Sequence, residues 1–304
     1  MRKFLTLTAA SLILLGCSSG ETVDIDTSKV DAAATKMADK APQFDSAKLG
    51  EILKAQPEKA QARYGARNPA ETLEFFGIKP GMKIGEALPG GGWYTKILVP
   101  YLGETGKLVG IDYALEMWPE FSFANEAFIE NKKNWPAEFV SKAAEWAPAD
   151  GAKISGTTFG LDAGDMAGSL DAVLYIRAMH NLSRFETEGG YMTKALAKTR
   201  QMLKPGGIVG VVQHRAPADA DDAWAIGSAG YLKQDAVIAA FDAAGFDLVK
   251  SSEINANPKD QPTADDIVWR LPPSLNGVGD NEAMKAERME IGESDRMTLL
   301  FQKR

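Results

Sequence analysis

A glycine-rich turn between a predicted buried strand and a helix constrains the fold of this chain more than any other feature. The turn, Leu88-Pro89-Gly90-Gly91-Gly92, follows the predicted strand Met82–Ala87 and precedes the predicted helix Trp93–Leu102. Glycine accepts positive φ and lets the backbone approach a ligand without a Cβ clash, and a helix N-terminus offers unpaired N–H groups. We therefore expect a ligand to bind where this strand ends.

A second strand, predicted at Lys107–Asp112, ends in an acidic residue. Asp112 follows the glycine turn by roughly twenty residues, a spacing at which a carboxylate can accept hydrogen bonds from two ribose hydroxyls. This arrangement suits NAD and S-adenosylmethionine equally. A helix cap is the alternative interpretation of Asp112 taken alone.

Strand and helix patterns alternate from Leu49 onward, which indicates an α/β layer architecture. Further strands are predicted at Ile154–Phe159, Asp171–Arg177, Ile208–Gln213, Asp247–Glu253 and Met297–Lys303, and further helices after Asn68 as N-cap, at Phe185–Leu203 and at Tyr231–Ala244. Such a sheet carries helices on both faces and a ligand crevice at the carboxyl ends of its strands. Between Tyr113 and Lys153 the pattern loosens and aromatic residues are dense. That segment is interpreted either as helices packed on the sheet or as a wall over a substrate pocket.

The N-terminus has the pattern of a bacterial export signal. Arg2 and Lys3 precede Phe4–Leu15, an apolar run too short to span a membrane. Leu14-Leu15-Gly16-Cys17 resembles a lipobox, which implies that lipidated Cys17 begins the mature chain, and Ser18 resembles an outer-membrane sorting residue. We expect a signal peptide at 1–16, a lipidated and flexible tether at 17–45, and one domain at 46–304. The protein would be a periplasm-facing lipoprotein of the outer membrane; a secretory signal with an incidental cysteine is the alternative.

Composition excludes several function classes. Cys17 is the only cysteine, so an internal disulfide, a cysteine-based zinc site and a thiol nucleophile are excluded. Two histidines and scattered acids do not predict a metal site. A formal net charge of -7 gives no electrostatic footprint for nucleic acid. A lipid, rather than charge, would hold the protein to a membrane.

The order of the motifs resembles that of class I S-adenosylmethionine-dependent methyltransferases. The resemblance covers roughly Leu49 to Arg304 and rests on Glu86 with the glycines, Gly110-Ile111-Asp112, Gly164-Asp165-Met166, Asp171-Ala172-Val173-Leu174 and Leu203-Lys204-Pro205-Gly206-Gly207. More specifically, Lys79-Pro80-Gly81-Met82, Pro89-Gly90-Gly91-Gly92-Trp93-Tyr94 and Leu98-Val99-Pro100-Tyr101-Leu102 look like a subgroup of exported predicted methyltransferases.

This resemblance implies a Rossmann-like three-layer sandwich whose seven-stranded sheet is mostly parallel and has an antiparallel last strand. It also implies S-adenosylmethionine as cofactor. The methionine part would lie on Glu86, Gly90 and Gly92, the ribose on Asp112 and the adenine near Asp165, with Leu88, Pro89, Gly91, Tyr113 and Met166 in the same cofactor site. The family pattern has glycine where this chain has Leu88, with Pro89 beside it. Either the turn is shifted or the affinity for the cofactor is weak, since proline also removes a backbone donor.

The catalytic candidates are His180, His214 and Tyr94. Both histidines follow apolar strand cores, which places them at the rim where ligands bind. His180 resembles the residue that faces the methyl group in many small-molecule methyltransferases, where a neutral imidazole can accept a proton. A structural hydrogen bond is the alternative role. Arg215 would either orient an acidic substrate or pair with Asp219, Asp221 or Asp222.

The leading hypothesis is methyl transfer from S-adenosylmethionine to a small-molecule or lipid-like acceptor. A second hypothesis is a lipoprotein that keeps the fold as a ligand-binding module without catalysis. This hypothesis is compatible with a leucine at position 88, where the family pattern has glycine. It also requires no S-adenosylmethionine outside the cytoplasm, where that cofactor is made. A third is a nicotinamide-dependent oxidoreductase, which the absence of Gly-x-Gly-x-x-Gly spacing disfavours.

Overall fold

Seven strands form one sheet within residues 43–304, the part of the chain that the computed structural model describes. They are β1 (Lys83–Ala87), β2 (Lys107–Asp112), β3 (Lys153–Thr158), β4 (Leu170–Ile176), β5 (Leu203–His214), β6 (Phe246–Ser252) and β7 (Arg296–Lys303). The order is β3-β2-β1-β4-β5-β7-β6. β7 runs antiparallel to β5 and β6, and the other pairs are parallel. The predicted Rossmann-like α/β fold, with its antiparallel last strand, is confirmed.

Helices occupy the connections on both sides of this sheet. They are α1 (Ser46–Lys54), α2 (Glu58–Gln61), α3 (Tyr64–Arg67), α4 (Pro69–Phe75), α5 (Thr95–Leu102), α6 (Glu126–Lys132), α7 (Trp135–Ala144), α8 (His180–Arg184), α9 (Glu186–Gly189), α10 (Tyr191–Met202), α11 (Gln234–Ala243) and α12 (Glu282–Ile291). No helix in the described part is long and apolar enough to cross a membrane. The predicted signal peptide, the lipidation of Cys17 and most of the predicted tether lie outside the described residues.

Two apolar cores lie on opposite faces of the sheet because strand side chains alternate. On one face, Ile84 and Leu108 pack with the apolar residues of α1, α4 and α5. On the other face, Val109 and Val173 pack with α10 and α11. The strand order reverses between β1 and β4, so the carboxyl ends of these central strands form the crevice in which such folds bind ligands.

Three local predictions need correction. The helix predicted at Phe185–Leu203 is divided into α9 and α10, and Gly190 breaks it with a φ of 63°. Asn68 precedes α4 but does not cap it through its side chain, because its amide donates to the Ile254 carbonyl. Strand β5 begins at Leu203, which pairs with Leu170, so the predicted turn at 203–207 is an irregularity inside a strand.

The aromatic segment contains helices that pack on the sheet. The ring of Phe139 in α7 lies over Gly110 of β2, so close that a Cβ on this glycine would meet it at 2.4 Å. Trp135 stacks on Phe139 with ring centroids 5.1 Å apart. Trp146 lies over Gly92 in a similar way, and a Cβ on this glycine would meet the Trp146 ring at 2.1 Å. Gly92 is therefore required for packing against Trp146.

Candidate functional site

A cavity of about 280 Å³ lies at the carboxyl ends of β1, β4 and β5, and we call it the turn cavity. The glycine turn and the three predicted catalytic residues meet there. Its lining residues are Glu86, Ala87, Leu88, Pro89, Gly90, Gly91, Trp93, Tyr94, Ile176, Arg177, His180, His214 and Trp269. Residues from distant parts of the sequence thus converge on the crevice that the strand order creates.

Leu88 adopts the backbone conformation that glycine usually supplies. Its φ is 53°, in the left-handed region that costs a leucine free energy, and its side chain packs against the apolar core. Its backbone N–H donates to the Ile111 carbonyl of β2, which holds the turn against the sheet. Leu88 thus holds a left-handed conformation at the start of the turn, where glycine was expected.

Glu86 places a carboxyl group at the floor of the turn cavity. The residue is buried, and its carboxyl group accepts a 2.7 Å hydrogen bond from the hydroxyl of Thr95 at the start of α5. Burial raises the pKa of Glu86 to about 7, against the lowering effect of Thr95. No salt bridge to this carboxyl group occurs among residues 43–304, so it could receive a ligand cation.

The two histidines face each other with ring centroids 5.9 Å apart. His214 Nδ1 lies 2.6 Å from the hydroxyl oxygen of Ser294, whereas the buried Nδ1 of His180 has no hydrogen-bond partner in the described residues. Burial lowers the pKa of His180 to about 4, and Arg177 adds a smaller lowering effect. Burial also lowers the pKa of His214 well below its ordinary value. Both imidazoles are neutral at pH 7 and are poor proton acceptors.

Tyr94 lies next to the glycine turn and is buried. Burial raises the pKa of its phenol to about 12, against the smaller lowering effect of Arg177. The phenol is therefore protonated at pH 7 and can donate a hydrogen bond to a ligand.

A second and larger cavity, of about 610 Å³, adjoins the first, and we call it the basic cavity. The two share Gly91, Trp93, Arg177, His214 and Trp269. Five basic residues line the basic cavity (Lys59, Arg63, Arg67, Lys96 and Arg177) against one acidic residue, Glu293. The difference, five minus one, is a surplus of four positive charges in a protein whose net charge is -7.

Arg177 stands at the boundary between these cavities, directly after β4. Its backbone has a φ of 57°, a second left-handed residue at this edge of the sheet. Within residues 43–304 its guanidinium makes no hydrogen bond and has no carboxylate within 4 Å, whereas Arg63 and Arg67 both bind Glu293. Burial, together with the smaller effect of nearby Arg296, lowers the pKa of Arg177 to about 10, against the attraction of Glu293.

The residues predicted to hold the ribose and the adenine do not line the turn cavity. The Asp112 carboxylate forms a 3.0 Å ion pair with Lys132 of α6, and the Lys132 ammonium also lies 4.1 Å from the ring centroid of Trp118. Burial raises the pKa of Asp112 and outweighs the lowering effect of Lys132. Tyr113 packs against Trp118 and accepts a hydrogen bond from Asn181. Of the predicted cofactor residues, Glu86, Leu88, Pro89, Gly90 and Gly91 line the turn cavity. Gly92 packs on Trp146 instead, and Asp112 and Tyr113 are bound by side chains of the protein itself.

Asp165 and Met166 lie on a short 3-10 turn, Gly164–Met166. Asp165 is exposed, and Met166 is half-buried against the apolar core. Arg215 binds Glu253 and Asp295 at 2.6 and 2.7 Å, so the alternative pairing with Asp219, Asp221 or Asp222 is wrong. No cluster of three His, Cys, Asp or Glu residues that could hold a metal ion occurs in the described range.

Sequence reasoning missed the basic wall of the site. Arg63 and Arg67 lie on the short segment before α4, and Trp269 lies between β6 and β7, where no element was predicted. Among these residues, only Arg177 could have been predicted from the sequence to lie at the ligand site. A charge directly after the apolar run Ala172–Ile176 belongs at the carboxyl edge of the sheet, where ligands bind.

No protein-family model and no curated protein matches the sequence. Among solved structures, the [4+2]-cyclase SpnF is 15% identical, with 78% of this chain and 80% of that chain covered and a TM-score of 0.45. A SAM-dependent methyltransferase from Aquifex aeolicus is 18% identical, with coverages of 70% and 94% and a TM-score of 0.41. An arsenic(III) S-adenosylmethionine methyltransferase from Chlamydomonas reinhardtii is 14% identical, with coverages of 86% and 73% and a TM-score of 0.43. The fold assignment rests on the strand order and pairing.

Proposed function

We propose that this protein transfers a methyl group from S-adenosylmethionine to a small-molecule or lipid-like acceptor. The observation that carries the proposal is the turn cavity. There a buried carboxyl group, a left-handed glycine-rich turn and three hydrogen-bonding side chains meet at the switch point of the sheet. The antiparallel β7 between β5 and β6 departs from the order 3-2-1-4-5-6 of dinucleotide-binding folds, which disfavours the nicotinamide-dependent alternative.

The residues of the turn cavity fit the methionine part of this cofactor. Glu86 is a buried carboxyl group without a cationic partner among the described residues, and the α-ammonium of the cofactor would supply one. When bound, the cofactor supplies an electrophilic methyl group on a sulfonium. Tyr94 would donate a hydrogen bond at this position, and neutral His180 would orient an acceptor through its unpaired Nδ1. Positioning of this kind lowers the barrier even when the base is weak.

Calorimetric titration of the purified protein with S-adenosylmethionine and S-adenosylhomocysteine tests the proposal. We expect micromolar dissociation constants for both. Asp112→Ala should weaken binding by about 1–3 kcal/mol, since it removes an acceptor from the ribose hydroxyls. Asp219→Ala, at an exposed residue outside the cavity, is the matched control. Absence of binding by the folded protein contradicts the proposal.

A ligand-binding module without methyl transfer is the second candidate. The ion pair of Asp112 with Lys132 favours it, because the predicted ribose acceptor is already bound within the protein. A folded protein that ignores both cofactor forms but binds another ligand in these cavities would support this candidate.

We propose further that Cys17 anchors the protein by a lipid to the periplasmic side of the outer membrane. The lipobox-like Leu14-Leu15-Gly16-Cys17 supports this location. Globomycin, which blocks lipoprotein signal peptidase, should cause accumulation of a longer precursor.

A further inference from the structure

The basic cavity has two walls of opposite chemistry. A basic wall is formed by Lys59 of α2, Arg67 of α3 and Arg63 of the two-residue connection between these helices. The segment between β6 and β7 supplies an apolar wall of Val268, Trp269, Leu271, Pro272 and Pro273. A volume of about 610 Å³ is in the range of cavities that enclose small molecules. A ligand with an anionic head and an apolar body would match both walls.

Glu293 already satisfies part of the positive charge on the basic wall. It binds Arg63 at 2.5 Å, Arg67 at 3.1 Å and Arg296 at 3.2 Å. The single negative charge of Glu293 therefore balances one of the three positive charges of these arginines. Arg177 forms no ion pair with Glu293. The positive surplus at Arg177 has no counter-ion among residues 43–304.

The unpaired groups at this boundary are hydrogen-bond donors. Arg177 has only N–H donors, and so does the indole of Trp93, whose buried Nε1 lacks an acceptor in the described residues. The Trp93 ring is held in place by the guanidinium of Arg67, 5.0 Å from its centroid. The side chains of Arg177 and Trp93 line both the turn cavity and the basic cavity. Donors without acceptors call for an acceptor-rich ligand, and a carboxylate or phosphate oxygen meets this requirement.

We propose that the basic cavity binds an organic acid, with its carboxylate or phosphate group on Arg177 and its apolar body against Trp269 and Leu271. The ligand is distinct from the cofactor, since Glu86, Leu88, Pro89 and Gly90 line only the turn cavity. Because the two cavities share Arg177, this acid would lie beside the methyl group and would be its acceptor. An anionic oxygen of the acid would form the new bond to the methyl carbon while the methyl–sulfur bond breaks, and the electron pair of that bond would stay on sulfur in the departing S-adenosylhomocysteine. That last role rests on the proposed function; the binding of the acid does not.

Calorimetric titration of the purified protein with benzoate and with benzamide tests the binding. The two probes have nearly the same shape, and only benzoate carries a charge. We expect a saturable site for benzoate with a millimolar or lower dissociation constant, and at least about tenfold weaker binding of benzamide, as for loss of a charged hydrogen bond. Inorganic phosphate should compete with benzoate. Equal binding of benzoate and benzamide, or no binding of benzoate, overturns the proposal.

Arg177→Gln identifies the group that binds the anion. Glutamine keeps a long polar side chain and removes the charge, so we expect about tenfold weaker benzoate binding with an unchanged circular dichroism spectrum. Arg200→Gln, on the exposed side of α10, should bind benzoate as the unchanged protein does. Unchanged benzoate affinity in Arg177→Gln overturns the assignment.

Titration of benzoate in the presence of saturating S-adenosylhomocysteine separates the two proposals. Retained benzoate binding supports a second ligand beside the cofactor. Loss of benzoate binding shows that Arg177 serves the cofactor's own carboxylate and overturns the proposal. If S-adenosylhomocysteine itself does not bind while benzoate does, the acid site stands and methyl transfer fails.

Discussion

Glu86 and His180 line the same cavity, and burial shifts their pKa values in opposite directions. Burial disfavours the charged form of each, so the pKa of Glu86 rises to about 7 and that of His180 falls to about 4. At neutral pH the turn cavity therefore contains a partly protonated carboxyl group and a neutral imidazole. A cationic ligand group is needed to stabilise the Glu86 carboxylate.

Glu86→Gln should change how the free energy of unfolding depends on pH. Between pH 4.5 and 7 the folded protein holds a proton on Glu86 that the unfolded chain has lost, so stability falls as pH rises through this window. Because glutamine does not titrate, the free energy of unfolding of the variant does not fall in this way. Relative to the unchanged protein, it should gain about 2 kcal/mol between pH 5 and pH 8 in urea titrations. Parallel stability curves over this range would contradict the buried, shifted carboxyl group.

Arg177→Gln should raise stability at pH 7, because the guanidinium is partly buried without an ion pair and is repelled by Arg296 and Arg67. A cation whose pKa is lowered in the folded state destabilises that state below the folded pKa, here about 10. We expect a gain on the order of 1 kcal/mol in urea unfolding. Arg63→Gln, which breaks the ion pair with Glu293, should instead lower stability. A loss in both variants would mean that Arg177 has a partner in solution.

At the scale of elements, α6 covers the end of β2 through one side chain. Lys132 joins the Asp112 carboxylate to the ring of Trp118, and this ion pair occupies the predicted ribose site. If Asp112 holds the ribose as proposed, cofactor binding requires Lys132 to move or to share the Asp112 carboxylate with the ribose.

Lys132→Met should strengthen S-adenosylhomocysteine binding and lower stability at the same time. Removal of the ammonium frees the Asp112 carboxylate for the ribose, and it also leaves that buried carboxylate unpaired. We expect a severalfold lower dissociation constant and a loss of about 2 kcal/mol in the free energy of unfolding. Lys133→Met is the matched control, since its pair with Glu130 is exposed. Unchanged affinity in Lys132→Met would argue against a ribose on Asp112.

The long connection between β6 and β7 is the element that sequence patterns did not reveal. Its fold depends on a buried polar network, in which Asp260 accepts hydrogen bonds from Arg270, Tyr231 and the backbone N–H of Asp295. Such contacts join residues far apart in the sequence and have no periodicity. The network fixes the segment that carries Trp269, and so it shapes the apolar wall of the basic cavity.

The strands, in contrast, were predicted within a few residues because local patterns determine them. β1 and β2 are short runs bounded by glycine turns, and the turn at Gly90–Gly92 could be placed from its local sequence alone. The ligand edge followed from the strand order. The sequence could not show which charged side chains pair with one another, because these contacts form only when the helices pack. Examples are the Lys132–Asp112 ion pair, the Glu293 network and the lack of an ion pair at Arg177 among residues 43–304.

At the scale of the whole molecule, a positive cavity lies in a negatively charged protein. The net charge of -7 repels anions at a distance, whereas the surplus at Lys59, Arg63, Arg67, Lys96 and Arg177 attracts them within about a Debye length, roughly 8 Å at physiological salt. An anion is therefore selected at the mouth of the cavity and not over the general surface. This charge pattern suits a soluble organic acid better than the surface of an anionic membrane.

Cys17→Ser tests the predicted anchor without altering either cavity, since every lining residue lies between Gln56 and Ser294. If Cys17 carries the lipid, the variant should move from the membrane to the soluble fraction on cell fractionation. A negatively charged protein without its lipid has no electrostatic hold on anionic headgroups. Benzoate and S-adenosylhomocysteine should bind the released variant with unchanged dissociation constants. Ser18→Ala, next to the cysteine, should remain membrane-bound, and a Cys17→Ser variant that also stays there would show that another segment provides the anchor.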